Sequence, residues 1–184
     1  STAIADTAPN LNVAFAFNIA SRSTTPADND VDLWRFLNIG RTGGASGLGA
    51  VVIRDEEIRL STNGLGGATV GNISGLADNQ WYVFVLNYNR AGGGAGSANS
   101  YIINATTGVK TDLTPLTGLT TGNLDPLATL ATGATLSAPT GVAAFQVRLD
   151  TVAVFNSNLN AADLETEVRN AFALPSSVED WFAF

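Results

Sequence analysis

Asp28, Asp30 and Asp32 stand at alternate positions in the densest acidic run of the chain, Asp28-Asn29-Asp30-Val31-Asp32. Alternating carboxylates supply the oxygen ligands that a hard cation collects, so Ca²⁺ is the ion this run would hold. The run starts like an EF-hand loop, but Leu33 stands where that loop turns on glycine and Ile39 where it closes on an acid. A solvated loop at a strand entrance is the plain alternative. Asp55, Glu56 and Glu57 raise a second chemistry. Glycoside hydrolysis uses two carboxyl groups roughly 5–9.5 Å apart, one of them with a raised pKa. Here the acids lie between two apolar runs, which reads as a hairpin turn.

The chain contains no histidine and no cysteine, so imidazole, thiolate and disulfide chemistry are absent. No glycine-framed serine elbow supplies a nucleophile in their place. The glycines at Gly64, Gly66 and Gly67, and at Gly92, Gly93, Gly94 and Gly96, are not followed by a Lys-Ser/Thr pair, so they read as loops and not as phosphate cradles. The expectation is a protein that is not an enzyme and carries no cofactor other than Ca²⁺ at the acidic run. Aromatic side chains are the remaining candidates. Tyr88 and Tyr101 could stack on sugar rings, with Asn89 fixing a hydroxyl. Trp34, Trp81, Phe84 and Phe145 sit in strand patterns and read as core.

Strands must carry these groups. Residues 11–20 (LNVAFAFNIA) alternate Val13, Phe15 and Phe17 with Ala14, Ala16 and Asn18. Residues 31–39 predict a second strand, and residues 50–54 with 58–62 predict a hairpin about Asp55-Glu56. Residues 64–75 are glycine-rich and hold a weak strand at most. Residues 81–89 (WYVFVLNYN) carry the strongest strand signal, apolar enough on both faces for a central position. A glycine-rich loop follows, and residues 101–105 are its hairpin partner. Residues 106–141 are Thr-, Gly- and Leu-rich and admit one or two short strands, such as residues 128–130.

At 184 residues, 45% hydrophobic and 14% charged, the chain reads as a single folded domain. Nine basic against sixteen acidic residues give a net charge of −7, which disfavours nucleic acid and anionic membrane surfaces as partners. No run of about 18 apolar residues is present to span a bilayer. Ser1 is equally compatible with a removed initiator methionine and with a removed signal peptide.

Residues 147–172 (VRLDTVAVFNSNLNAADLETEVRNAF) read as a strand, a polar turn and an amphipathic helix. In the strand Val147, Leu149, Thr151 and Ala153 alternate with Arg148, Asp150, Val152 and Val154. In the helix Leu164, Val168 and Phe172 recur every four residues behind a capping Asn160, with Asp163 completing a capping-box-like start. This order, with Asp150 in the strand and Leu159, Asn160, Ala161 and Asp163 opening the helix, resembles the closing unit of laminin G-like domains within the concanavalin A-like lectin and glucanase superfamily. The resemblance implies an all-β, two-sheet antiparallel jelly-roll sandwich with one short C-terminal helix near residues 161–173. It further implies one domain over residues 1–184, with an N-terminal arm at 1–10 and an aromatic tail at 175–184. Ca²⁺ at loop ends is common in that family. Its glucanase branch carries Glu-x-Asp-x-x-Glu on one strand, which this chain lacks.

The tail ends in Trp181, Phe182 and Phe184, and exposing buried-class aromatics costs about 2–3 kcal/mol each. Such an end packs on its own domain or on a neighbouring subunit. The sequence therefore favours a non-catalytic structural or assembly module on an exposed surface, either a virion decoration protein or a subunit of an extracellular assembly. Its partner would be itself or another structural protein. The alternative is a lectin-like adhesin that binds glycan at loop ends, with or without Ca²⁺.

Overall fold

The computed structural model describes residues 10–21, 34–38, 50–54, 57–61, 68–89, 96–119, 134–135 and 146–175. In chain order these form β1 (Asn10–Ser21), β2 (Trp34–Asn38), β3 (Ala50–Arg54), β4 (Glu57–Ser61), β5 (Ala68–Asn72) and β6 (Trp81–Asn89). β7 (Gly96–Asn104), β8 (Lys110–Asp112), β9 (Leu116–Leu119), β10 (Ala134–Thr135), β11 (Gln146–Phe155) and the helix α1 (Ala161–Ala171) follow. All pairings are antiparallel. One sheet runs β11-β1-β6-β7-β8, with β9 also pairing with β7, and the other runs β10-β2-β3-β4-β5. The chain therefore leaves the first sheet after β1, builds most of the second, and returns beside β1 as β6.

The two sheets share one core. Val13, Phe15 and Phe17 of β1 and Phe84 and Leu86 of β6 meet Ile58 and Leu60 of β4 and Val70 of β5. The opposite face of the first sheet is buried as well. Ala14, Ala16, Val83, Val85 and Ile103 lie against Leu164 and Val168 of α1. This explains why β1 and β6 are apolar at successive positions: each has a sheet on one side and a helix on the other. Alanines on the helix side of β1 let the helix approach closely.

The hairpin of β3 and β4 closes at Arg54↔Glu57, as the sequence predicts, and β6 and the strand near residue 147 appear at the expected places. Five elements refine the expectation or depart from it. β2, Trp34–Asn38, falls within the predicted 31–39. A strand, β5, forms within 68–72, where Gly71 lies against the Leu113 side chain, whose Cδ2 is 2.5 Å from where a β-carbon would stand. β7 starts at Gly96 and not near 101, because pairing with β6 and burial of the small Ala98 outweigh weak strand propensity. Residues 110–112 and 116–119 both pair with β7, through contacts that no local pattern announces. The proposed strand at 128–130 and the arm at residues 1–9 lie outside the described residues.

Candidate functional site

The helix that covers the outer face is positioned from both ends. Asn160 caps it: its Oδ1 accepts from the backbone N–H groups of Ala162 at 3.0 Å and Asp163 at 2.9 Å. Asp163 takes part differently from a standard capping box, with its Oδ2 accepting from the Asn160 side-chain amide at 2.6 Å. At the other end Leu174 N–H donates to Arg169 O and Ala173 N–H to Asn170 O, a Schellman closure. Ala173 occupies the left-handed position of that closure at φ 50°, where glycine is the usual residue. Ala173→Gly is expected to stabilise the fold by about 0.5–1 kcal/mol, read as a rise in the urea midpoint at constant slope.

Ala173 also lines a groove of about 500 Å³ at the C-terminal end of α1. Its walls are Trp81 at the start of β6, Phe172 and Leu174 after the helix, and Thr106 in the β7–β8 turn. Its floor is set by a bulge. Phe15 pairs with Val152 and Phe17 with Leu149, so Ala16 faces two residues, Asp150 and Thr151. Both line the groove beside Ala16. Strict alternation would have sent these neighbours to opposite faces; a bulge re-aims one of them. The sequence carries this slip in its apolar residues, since Val147 and Leu149 reach the core together with Val152 and not with Thr151. Gln80 holds Thr106 in place through a hydrogen bond from its side-chain amide to Thr106 Oγ1. Ala105 N–H donates to Trp81 O at 3.0 Å and ties the same turn to β6.

The groove therefore unites two aromatic rings, a carboxylate and two hydroxyls on one surface. Comparison with solved structures gives a likeness of fold. Over 89% of its length the chain is similar to the receptor-binding domain of botulinum neurotoxin type G, with a TM-score of 0.54 and 15% identity. It spans 38% of that chain. Over 83% of its length it is similar to the PL-14 alginate lyase of Aplysia kurodai, with a TM-score of 0.53, 8% identity and 72% of that chain covered. No protein-family model and no curated protein matches the sequence.

The residues singled out from sequence fall in different places. Tyr88 is 2% exposed and belongs to the inter-sheet core, so its ring is closed to a sugar; alternation along β6 turned it inward. Tyr101 is 7% exposed and lies on the opposite face, under the helix. Asn89 is exposed at the end of β6. The three do not form one stacking surface. Asp28, Asp30 and Asp32, and the tail residues Trp181, Phe182 and Phe184, lie outside the described residues. Glu57 is committed to its own strand neighbourhood: Thr69 Oγ1 and Arg59 Nη2 each donate to its Oε2 at 2.7 Å, and these bonds hold its carboxyl below the usual carboxylate value. Among the described residues no helix is long and apolar enough to cross a membrane.

A charged seam joins the helix to the β7–β8 turn. Lys110 Nζ lies 2.9 Å from Glu165 and 3.2 Å from Asp112, and sits 4.6 Å above the Tyr101 ring. Arg169 donates to Glu165 and to the carbonyls of Gly108 and Pro175. Burial alone would raise the Glu165 pKa, but hydrogen bonds from Lys110 and Arg169 outweigh it and the net direction is down from 4.5. Burial likewise opposes the Lys110 charge, and its bonds to Glu165 and Asp112 carry it above 10.5. Stability from Glu165 is thus complete above its unfolded value and lost as pH falls through the lower folded one. That from Lys110 is complete below 10.5 and lost only beyond it. The melting temperature should be flat through neutral pH and fall below about pH 4.5. Glu57 adds to the same acid limb, so Glu165→Gln should make that limb shallower without removing it.

Proposed function

We infer that this chain is a non-catalytic recognition module that binds glycan chains in the groove beside Trp81. We take its two sheets as a jelly-roll sandwich of the laminin G-like, concanavalin A-like type, displayed on an exposed surface. One observation carries the reading: Trp81 and Phe172 line the same groove as Asp150, Thr151 and Thr106. Aromatic faces stack on sugar rings, and a few fixed hydroxyl and carboxylate groups orient the ring hydroxyls. A chain without histidine or cysteine has few parts for nucleophilic or acid–base catalysis, and among the described residues Asp150 is the one carboxylate that lines the groove. Of the two proteins it resembles in fold, one is a receptor-binding domain and the other an alginate lyase, and the first description agrees with a binding role. The structural role that the sequence suggests for Trp181, Phe182 and Phe184 falls on residues outside those described; the groove is what supports the binding reading.

The test is titration calorimetry of the whole chain against neutral oligosaccharides and alginate fragments. Trp81→Ala should weaken binding at least tenfold, the loss expected when one stacking face worth about 1.5 kcal/mol is removed. Its far-ultraviolet circular dichroism should stay β-dominated. Equal binding by the wild type and Trp81→Ala would remove the groove as the site.

A further inference from the structure

The groove beside Trp81 carries charge of one sign among the described residues that line it. Asp150 is exposed there as its one carboxylate. The helix also ends there: Ala171, the last residue of α1, and the capping Phe172 both line the groove. A helix C-terminus carries about half a negative elementary charge, held on carbonyls that no intrahelical N–H closes. Here the N–H groups of Phe172, Leu174 and Ala173 close on the carbonyls of Val168, Arg169 and Asn170. The next carbonyl, that of Ala171, would take its intrahelical bond from residue 175, and Pro175 has no N–H. The rings of Trp81 and Phe172 act in the same direction, since an aromatic face attracts a cation. Nearby cations do not offset these groups. Arg169, in the last helical turn, is bound to Glu165 and to the carbonyls of Gly108 and Pro175. Lys110 is paired with Glu165 and Asp112. Arg148, exposed on β11, is not among the residues that line the groove, and neither is any other described lysine or arginine.

We propose that the groove selects cationic glycans, chains of amino sugars whose protonated amines face Asp150 and the helix end while a ring face stacks on Trp81. This rests on the groove being the glycan site, and adds a charge preference that stacking alone does not supply. A uronate chain such as alginate meets like charge at Asp150. An N-acetylated amino sugar keeps the ring but has no ammonium group. Because Asp150 is exposed, its pair with an ammonium is screened by water and the selectivity is moderate. The net charge of −7 draws any polycation from a distance, so the preference has to be traced to the groove itself.

The experiment uses the 184-residue chain and, as probes, short oligomers of equal length of glucosamine, N-acetylglucosamine and alginate. Calorimetry is run at about pH 6, where aspartates are ionised and amines protonated. The wild type should bind the glucosamine oligomer about five- to tenfold tighter than the N-acetylated one, with alginate weakest. Asp150→Asn, which keeps the shape and removes the charge, should cut that preference by about threefold or more. Glu167→Gln removes the same charge from an exposed helix position outside the groove and should keep the wild-type preference. Trp81→Ala should weaken both amino-sugar oligomers. A wild type without the preference overturns the proposal, as does a preference reduced equally by Glu167→Gln and Asp150→Asn. The groove then remains a glycan site if Trp81→Ala still weakens the N-acetylated oligomer. Binding of both oligomers that Trp81→Ala leaves unchanged removes the groove as the site, and the charge preference with it.

Discussion

Replacing Phe15 with alanine is expected to lower the free energy of unfolding by about 3–5 kcal/mol, the cost of emptying a large aromatic from a packed core. Phe15 is wholly buried on the inter-sheet side of β1. Its ring stacks on Phe84 at 5.1 Å and 27° and meets Phe17 at 6.2 Å, and Phe17 in turn lies 5.7 Å from Tyr82. β1 is also the hinge of the first sheet, paired with β6 on one side and β11 on the other. Phe15 sits at the register shift that sets Ala16 opposite Asp150 and Thr151. A void there loses packing and loosens the bulge that floors the groove. Phe15→Leu, which keeps most of the volume, should cost about 1.5 kcal/mol or less. Urea titration of both variants checks this, with the slope expected to remain that of the wild type. A loss under 1 kcal/mol for the alanine variant would mean that the two sheets are not held by this stack.

How much of this was legible beforehand depends on how local each signal is. β6 reads clearly because both of its faces are apolar, and both are indeed covered. The helix is equally plain: Asn160 caps it and Leu164 and Val168 point inward, as their spacing demands. β8 and β9 read only as one or two unplaced short strands within 106–141, because their partner, β7, supplies the structure through pairing and their own residues carry little apolar pattern. Tyr88 and Tyr101 look alike in sequence, yet they sit on opposite faces of one sheet, a distinction that only register settles. The groove was present in pieces. In sequence Asp150 reads as part of a closing strand, Trp81 as core and Phe172 as helix, but what brings them together is the bulge and the packing of α1 over β6 and β11. A single-strand pattern cannot show that.

The largest effect expected from a polar residue is at Asn12. This side chain is fully buried on the side of β1 that carries Ala14 and Ala16, the helix-facing side. Its Nδ2 donates to the Asn156 carbonyl at 2.8 Å, and its Oδ1 accepts from Asn87 Nδ2 at 2.6 Å. Asn10 repeats the contact two residues earlier, donating to the Ser157 carbonyl at 2.9 Å. These bonds hold the turn between β11 and α1 against the middle of the sheet, and so fix where the helix starts. Asn12→Ala empties a fully buried polar site and takes their partner from the half-buried Asn87 amide and from the carbonyl of Asn156. With two hydrogen bonds lost and water able to reach part of what remains, the expected loss is about 1–3 kcal/mol. Asn10→Ala, at a part-buried position that water can reach, should cost about 1 kcal/mol or less. The two mechanisms by which Asn12 might matter separate in hydrogen exchange. If it clamps the helix, the amides of Leu164 and Val168 should lose protection by more than the global destabilisation accounts for, while those of Phe84 and Ile102 follow it. The groove should then bind glycan more weakly, because the C-terminal end of that helix bounds it. A uniform loss of protection across β6 and α1 would instead make Asn12 a contributor to the sheet alone, and the helix would owe its position to Leu164, Val168 and the Glu165–Lys110 pair.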